Sequence, residues 1–131
     1  MKDDNFRNLS YRILFLGDKY VGKTKIIDRF VDKTYCDNYT CNLDNKFKKI
    51  EINNTNINII IIDTDGQERF RSLIKSQYKG KDGFIIGFSL TDEKSFQSVT
   101  YWIEQIKENV GNNRPISFVL FGNKSDDKKI I

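Results

Sequence analysis

One segment near the N-terminus constrains the fold of this chain more than any other feature. Gly17-Asp-Lys-Tyr-Val-Gly-Lys-Thr24 fits the pattern G-x-x-x-x-G-K-[ST]. The mostly apolar run Arg12–Leu16 precedes it and predicts a buried strand. After it, Ile26, Ile27 and Phe30 recur at helical spacing and predict a helix. A strand, this loop and a helix together form the context in which the pattern binds phosphate.

The segment supplies the groups that a chain of phosphates needs. Backbone N–H groups of a glycine-rich loop and of a helix N-terminus can surround anionic oxygens. Lys23 adds a positive charge, and the hydroxyl of Thr24 can bind Mg²⁺. A glycine-rich turn with a surface lysine is the alternative, and the flanking strand and helix disfavour it. The predicted phosphate-binding residues of the loop are Gly17, Asp18, Lys19, Tyr20, Val21, Gly22, Lys23 and Thr24.

The rest of the chain alternates apolar runs with helical patterns. Lys46–Ile52 and Ile57–Ile62 flank Asn53-Asn-Thr-Asn56, which predicts an antiparallel hairpin. The other predicted elements are a polar loop from Phe30 to Asp44, a short helix ending near Tyr78, strands at Gly83–Ser89 and Ile116–Phe121, and a helix over Asp92–Val110. This order predicts an α/β fold: a mostly parallel sheet with flanking helices and one antiparallel hairpin strand.

Composition excludes several classes of function. The chain has 131 residues, the size of one compact domain. It has no histidine, which excludes a histidine base and a histidine metal ligand. Cys36 and Cys41 are too far apart for a CxxC motif and are predicted to be free thiols. The net charge of +4 comes from basic residues scattered among acidic ones, which argues against nucleic acid as a partner. Without a signal core or a membrane-spanning run, the chain is predicted to be soluble and intracellular.

A second motif, Asp63-Thr-Asp-Gly-Gln67, follows the isoleucine-rich strand directly. Ligands of open α/β sheets bind at the carboxyl ends of the strands, so Asp63 is placed to hold Mg²⁺. Gly66 can bring its N–H close to a terminal phosphate, and Gln67 can orient an attacking water by donating and accepting hydrogen bonds. By itself this motif is more often a turn of Asp and Gly.

A third motif, Asn123-Lys-Ser-Asp126, follows the last predicted strand. The carboxylate of Asp126 can accept two hydrogen bonds from the N1–H and 2-amino groups of guanine, a donor pair that adenine lacks. Asn123, Lys124 and Asp126 are therefore the predicted guanine-binding residues. Any one motif can arise by chance, but three in this order, each after a predicted strand, indicate one nucleotide site.

These residues resemble the Ras-like small GTPases, and within them the Rab group, from about Tyr11 to Asp126. The resemblance includes Asp63-Thr-Asp-Gly-Gln-Glu-Arg-Phe70 and the T-D-x-x-S-F pattern that starts at Thr91. It implies a switch that binds GTP and GDP, uses Mg²⁺ as cofactor and hydrolyses GTP slowly, with Gln67 as the catalytic residue. The resemblance also places a switch threonine at Thr40. The implied metal ligands are Thr24, Thr40 and Asp63.

The resemblance to Rab proteins also implies a cellular role and partners. Such a protein acts in vesicle transport and binds exchange factors and effectors through its switch regions. No prenylated cysteine is seen, so we expect no direct lipid anchor. The expected location is the cytoplasm, peripheral to endomembranes through protein partners.

Three departures from the family pattern bear on activity. Lys19 and Tyr20 replace small residues and are expected to hinder an arginine supplied by an activator. Asp65 replaces an alanine, and a carboxylate about 4 Å from a phosphate charge costs about 1 to 4 kcal/mol, depending on the dielectric. The chain stops at Ile131, before the last strand and helix of the family. We therefore expect an incomplete G domain over residues 1–131, with an apolar sheet face exposed.

Three alternatives to a slow GTPase remain open. The first is a decoy that binds nucleotide without hydrolysing GTP. The second is an incomplete fragment that does not accumulate as a folded monomer. The third and most distant is a P-loop kinase, which the guanine motif and Gln67 together disfavour.

Overall fold

The computed structural model describes residues 9–31, 45–64, 77–110 and 115–126. In chain order, its elements are strand β1 (Leu9–Gly17), helix α1 (Lys23–Val31), strands β2 (Asn45–Ile52), β3 (Thr55–Asp63) and β4 (Gly83–Ser89), helix α2 (Glu93–Val110) and strand β5 (Phe118–Asn123). The prediction of a loop from Phe30 is wrong at its start, because α1 continues through Phe30 to Val31, which is buried. Residues 32–44 lie outside the described residues, and so does the short helix predicted before Tyr78 except for Gln77, which is helical.

The strands form one mixed sheet in the order β2-β3-β1-β4-β5. Strand β1 lies in the middle and is parallel to both β3 and β4, and β5 is parallel to β4. The hairpin strand β2 is antiparallel to β3. The carboxyl ends of β1, β3, β4 and β5 therefore meet at one sheet edge, and the predicted α/β architecture is confirmed.

The hairpin turn is tighter than predicted. Asn53 and Asn54 have φ angles of 50° and 62°, in the left-handed region that a two-residue hairpin turn requires. Asparagine adopts this conformation more readily than most residues. The prediction that Thr55 and Asn56 belong to the turn is wrong, because they pair with Ile52 and Glu51 and start β3.

Two helices cover opposite faces of the sheet in the described part of the chain. On one face, Ile27 and Val31 of α1 pack with Phe15 and Ile61. On the other face, the buried side of α2 packs on the sheet; this cluster contains Leu14, Leu16, Ile62, Tyr78, Phe84, Ile86, Val99, Trp102 and Ile106. Ile61 and Ile62 are thus buried on opposite faces, as the unbroken apolar run of β3 predicted, whereas Ile59 and Ile60 are half-buried.

At the edge formed by β5, apolar side chains face solvent in the structure. Val119 is 62% exposed, and Phe118 and Leu120 are also exposed. Strand β5 begins at Phe118, later than the predicted Ile116. Neither helix within the described ranges has the length and hydropathy needed to cross a membrane.

Candidate functional site

The loop between β1 and α1 surrounds a buried ammonium group. Lys23 is fully buried (0% exposed), and its Nζ donates to the carbonyl oxygens of Gly17 at 2.7 Å and Asp18 at 2.9 Å. A buried charge is costly unless hydrogen bonds satisfy it, so these carbonyls fix where the ammonium sits. Its positive charge therefore lies inside the loop that the sequence predicts to bind phosphate.

The two glycines of the motif allow the loop to pack closely against neighbouring strands. Gly17 has a φ of 149°, and a Cβ there would lie 2.5 Å from the carbonyl oxygen of Gly87 in β4. Gly22 has a φ of 96°, and a Cβ there would collide with the side-chain amide of Asn123. A side chain larger than that of glycine would therefore clash at both glycine positions of the motif.

The end of β3 brings a carboxylate to the start of α1. The Thr24 hydroxyl donates to Oδ2 of Asp63 at 2.5 Å, and Asp63 is almost completely buried. Together they offer hydroxyl and carboxylate oxygens, the hard donors that Mg²⁺ prefers. Within the described ranges, no three His, Cys, Asp or Glu residues cluster as a metal site. Mg²⁺ commonly binds through one or two carboxylates together with waters and substrate phosphates.

The end of β5 reaches the same loop from the other side. Asn123 Nδ2 donates to the carbonyl oxygen of Val21, and Lys124 Nζ donates to that of Tyr20, both at 2.8 Å. Asp126 follows as an exposed residue. The structure thus brings two of the three predicted guanine-binding residues into direct contact with the predicted phosphate-binding loop.

A groove opens where these elements meet. Its volume is about 780 Å³, within the roughly 300–1,000 Å³ of small-molecule sites. Its lining residues are Lys19, Tyr20, Gly22, Thr24, Lys25, Asn123 and Lys124. Three lysines make it a positively charged groove, suited to an anion. The sequence patterns missed Lys25, although its place directly after Thr24, in the first turn of α1, could have indicated it.

Tyr20 stands at the mouth of this groove in a strained backbone conformation. Its φ is 69° and its side chain is 75% exposed. Lys19 Nζ lies 5.0 Å from the centre of the Tyr20 ring, in range for a cation–π contact. Both bulky residues that the sequence analysis singled out are therefore at the surface beside the groove.

Asp18 makes contacts that no sequence pattern predicted. Its carboxylate accepts hydrogen bonds from Ser98 and Trp102 of α2, which are 80 and 84 residues away in the chain. Its main-chain carbonyl accepts a hydrogen bond from the Lys23 ammonium. A phosphate-binding role of Asp18 stays a prediction.

Three predicted site residues, Thr40, Gly66 and Gln67, lie outside the described residues, and so does Asp65. Their roles stay predictions.

Comparison with known proteins identifies the family. A family model described as the Ras family matches residues 12–130. The matched region contains every element of the structure apart from the first residues of β1, and it contains all the predicted site residues. A match of that extent shows that the chain belongs to the Ras family, whose members are small GTPases.

Proposed function

We propose that this chain is a Rab-like guanine-nucleotide switch that hydrolyses GTP slowly. Membership of the Ras family already makes it a GTP-binding protein of the switch type. The observation that carries the proposal is the groove bounded by Tyr20, Thr24 and Asn123, beside the buried Lys23 ammonium. It lies between the loop predicted to bind phosphate and the motif predicted to select guanine.

The phosphates are proposed to lie against the loop between β1 and α1. The N-terminus of α1 begins at Lys23, where backbone N–H groups and the helix dipole favour an anion. Lys23 adds a full charge, and charge-assisted hydrogen bonds to phosphate oxygens are about twice as strong as neutral ones. The exposed ends of Lys19 and Lys25 add positive potential at the rim of the groove.

Mg²⁺ is proposed to bind through Thr24 and Asp63, whose oxygens already lie together. Thr40 is the further ligand that the family resemblance implies. When bound, the ion neutralises charge on the phosphates. Its fit is supported by the donor chemistry of the pair and by the place of Thr24 in the lining of the groove.

Guanine is proposed to bind beyond the phosphates, at the end of β5. Asn123 and Lys124 hold the loop through Val21 and Tyr20, and the exposed Asp126 can accept from the N1–H and 2-amino groups of the base. Asp126→Asn should weaken the preference for GDP over ADP about tenfold or more, because the amide N–H₂ that replaces one carboxylate oxygen cannot accept the second of these hydrogen bonds. Competition of both nucleotides against labelled GDP measures it, and an unchanged ratio would contradict this role.

Slow and poorly stimulated hydrolysis is supported by the exposed pair Lys19 and Tyr20 at the groove mouth. An arginine supplied by an activator contributes roughly 10³ to 10⁵ in rate, so obstruction of its path outweighs a modest change in the intrinsic step. Gln67 remains the predicted residue that orients water, and Asp65 the predicted source of repulsion. Single-turnover hydrolysis distinguishes a slow GTPase from a decoy that only binds nucleotide.

The proposed cellular role is vesicle transport from a cytoplasmic location, through exchange factors and effectors. It is supported by the Rab-like segments Asp63–Phe70 and Thr91–Phe96.

Lys23→Ala tests the proposal, because this variant removes the ammonium inside the loop. GDP titration by calorimetry should show tight binding to the parent and no measurable binding to Lys23→Ala. The matched control is Lys94→Ala, which removes an exposed lysine of α2 outside the groove and should bind as the parent does. Equal GDP affinity of Lys23→Ala and the parent would refute the proposed site.

A further inference from the structure

The side-chain contacts of Asp18 connect the loop between β1 and α1 to helix α2. We propose that Asp18 is a positioning residue for the nucleotide phosphates. Its carboxylate anchors the loop to α2, while its main-chain carbonyl holds the Lys23 ammonium. The inference rests on the proposed function, since it presumes that this loop binds GDP and GTP.

Both carboxylate oxygens of Asp18 are used. Ser98 Oγ donates to Oδ2 at 2.5 Å, and Trp102 Nε1 donates to Oδ1 at 3.2 Å. Ser98 Oγ also lies 3.0 Å from the carbonyl oxygen of Lys94, and one hydroxyl proton serves one acceptor at a time. The carboxylate is closer and charged, and hydrogen bonds to charged acceptors are the stronger ones, so we assign the proton to Asp18.

The same residue is bound on its main chain. The carbonyl oxygen of Asp18 accepts from Lys23 Nζ at 2.9 Å and from the backbone N–H of Val21 at 3.4 Å. A shift of Asp18 therefore moves an acceptor of the buried ammonium. Hydrogen bonds thus connect α2 to Asp18 and Asp18 to the Lys23 ammonium, which is proposed to bind phosphate.

Helix α2 is a firm support for this link. It runs over Glu93–Val110, and Trp102 is buried in the core cluster that joins α2 to the sheet. The indole ring lies 5.1 Å from that of Tyr101 in an edge-to-face arrangement. Well-packed side chains resist displacement, so the indole N–H is fixed by the core rather than by the loop.

Trp102 also makes the link observable, because it is the only tryptophan in the chain. Its indole N–H donates directly to the loop. Its fluorescence should therefore change when Mg²⁺ and GDP bind to the parent. Asp18→Ala should alter the emission before nucleotide is added and should abolish the GDP-dependent change.

Calorimetric titration with GDP and Mg²⁺ tests the link in three variants. Asp18→Ala removes both hydrogen bonds and should weaken GDP binding about tenfold. Part of the free energy of these charged hydrogen bonds holds the loop in the conformation that binds GDP, and this part is lost in the variant. Ser98→Ala removes one bond and should weaken it about threefold. Asp18→Asn keeps one acceptor oxygen and should restore part of the affinity lost in Asp18→Ala.

Asp92→Ala is the matched control on the same helix. The Asp92 carboxylate accepts from the backbone N–H of Lys94 at 3.0 Å and caps α2, away from the loop. Asp92→Ala removes one negative charge, as Asp18→Ala does. It should lower the melting temperature, but its GDP affinity and the change of its fluorescence on GDP binding should equal those of the parent.

The outcomes separate the link from the proposed function. If the parent protein binds no GDP, the proposed function is overturned, and the inference with it. If the parent binds GDP and the folded Asp18→Ala variant binds it equally well, the inference alone is overturned. If Asp18→Ala does not fold, the other two variants decide: parent-like affinity and emission in both Ser98→Ala and Asp18→Asn overturn the link, and graded losses support it.

Discussion

At the residue scale, Tyr20 combines a strained backbone with a side chain that contributes little to stability. A non-glycine residue at a φ of 69° is strained by about 1–2 kcal/mol, and the exposed ring buries little surface in return. Tyr20→Gly should therefore be more stable than Tyr20→Ala by about 1 kcal/mol, because alanine keeps the strain and glycine relieves it. Thermal melts of both variants in the same buffer measure the difference.

The comparison between glycine and alanine isolates the backbone, since both variants lose the ring and its contact with Lys19. Equal melting temperatures would mean that the left-handed conformation at Tyr20 carries no strain.

Sequence patterns predicted residues whose chemistry is local and failed where partners are distant. The loop from Gly17 to Thr24 could be identified because glycines, a lysine and a hydroxyl occur at a fixed spacing. The use of the Asp18 carboxylate could not, because Ser98 and Trp102 meet it only after α2 packs on the sheet. Tertiary contacts across 80 residues leave no periodic signal near Asp18.

At the element scale, the loop and the end of β5 support each other. Gly22→Ala places a Cβ against the Asn123 side chain and adds strain at a φ of 96°. The bond from Asn123 Nδ2 to the carbonyl oxygen of Val21 should then be lost. We expect a loss of about 2–3 kcal/mol in the free energy of unfolding, from backbone strain together with one broken hydrogen bond. Urea denaturation measures it.

Gly80→Ala is a useful comparison for that variant. Gly80 also has a positive φ, of 74°, but no atom of the described residues lies within 4 Å of an added Cβ. It should show the cost of strain without the collision. A loss in Gly22→Ala no larger than that in Gly80→Ala would show that the contact with Asn123 contributes little.

Element boundaries were predictable where an apolar run ends at a polar turn, and they were missed where pairing across the sheet set them. Strand β4 was predicted with its observed bounds, because an apolar run ends at Ser89 before a polar turn. The hairpin turn was predicted too long, since Thr55 and Asn56 have turn-like side chains and yet pair with β2. Pairing across the sheet outweighed local preference there.

At the scale of the whole molecule, the core contains a titratable group that links stability to pH. Tyr78 is buried against Phe84, and its hydroxyl has no hydrogen-bond partner in the described part of the chain. Desolvation, with a smaller contribution from Tyr101, raises the pKa of Tyr78 above the ordinary value. Below about pH 10 the phenol is protonated whether folded or unfolded, and its full contribution to stability is present.

Above that pH the unfolded chain loses a proton that the folded chain retains, so stability should fall as pH rises. Tyr78→Phe has no such proton, and its melting temperature should fall less than that of the parent between about pH 9 and 11. Tyr11→Phe, at an exposed tyrosine, is the control and should follow the parent. Parallel curves for the parent and Tyr78→Phe would contradict this link.

The central claim, that the groove between the loop and the end of β5 binds guanine nucleotide, is tested most directly by mass spectrometry of the nucleotide retained by the purified protein. The claim assigns one ligand to three features: the buried Lys23 ammonium, the Thr24–Asp63 pair, and the contacts of Asn123 and Lys124 with the loop. We predict that GDP or GTP is released on denaturation. Release of an adenine nucleotide, or of no nucleotide, would contradict the claim.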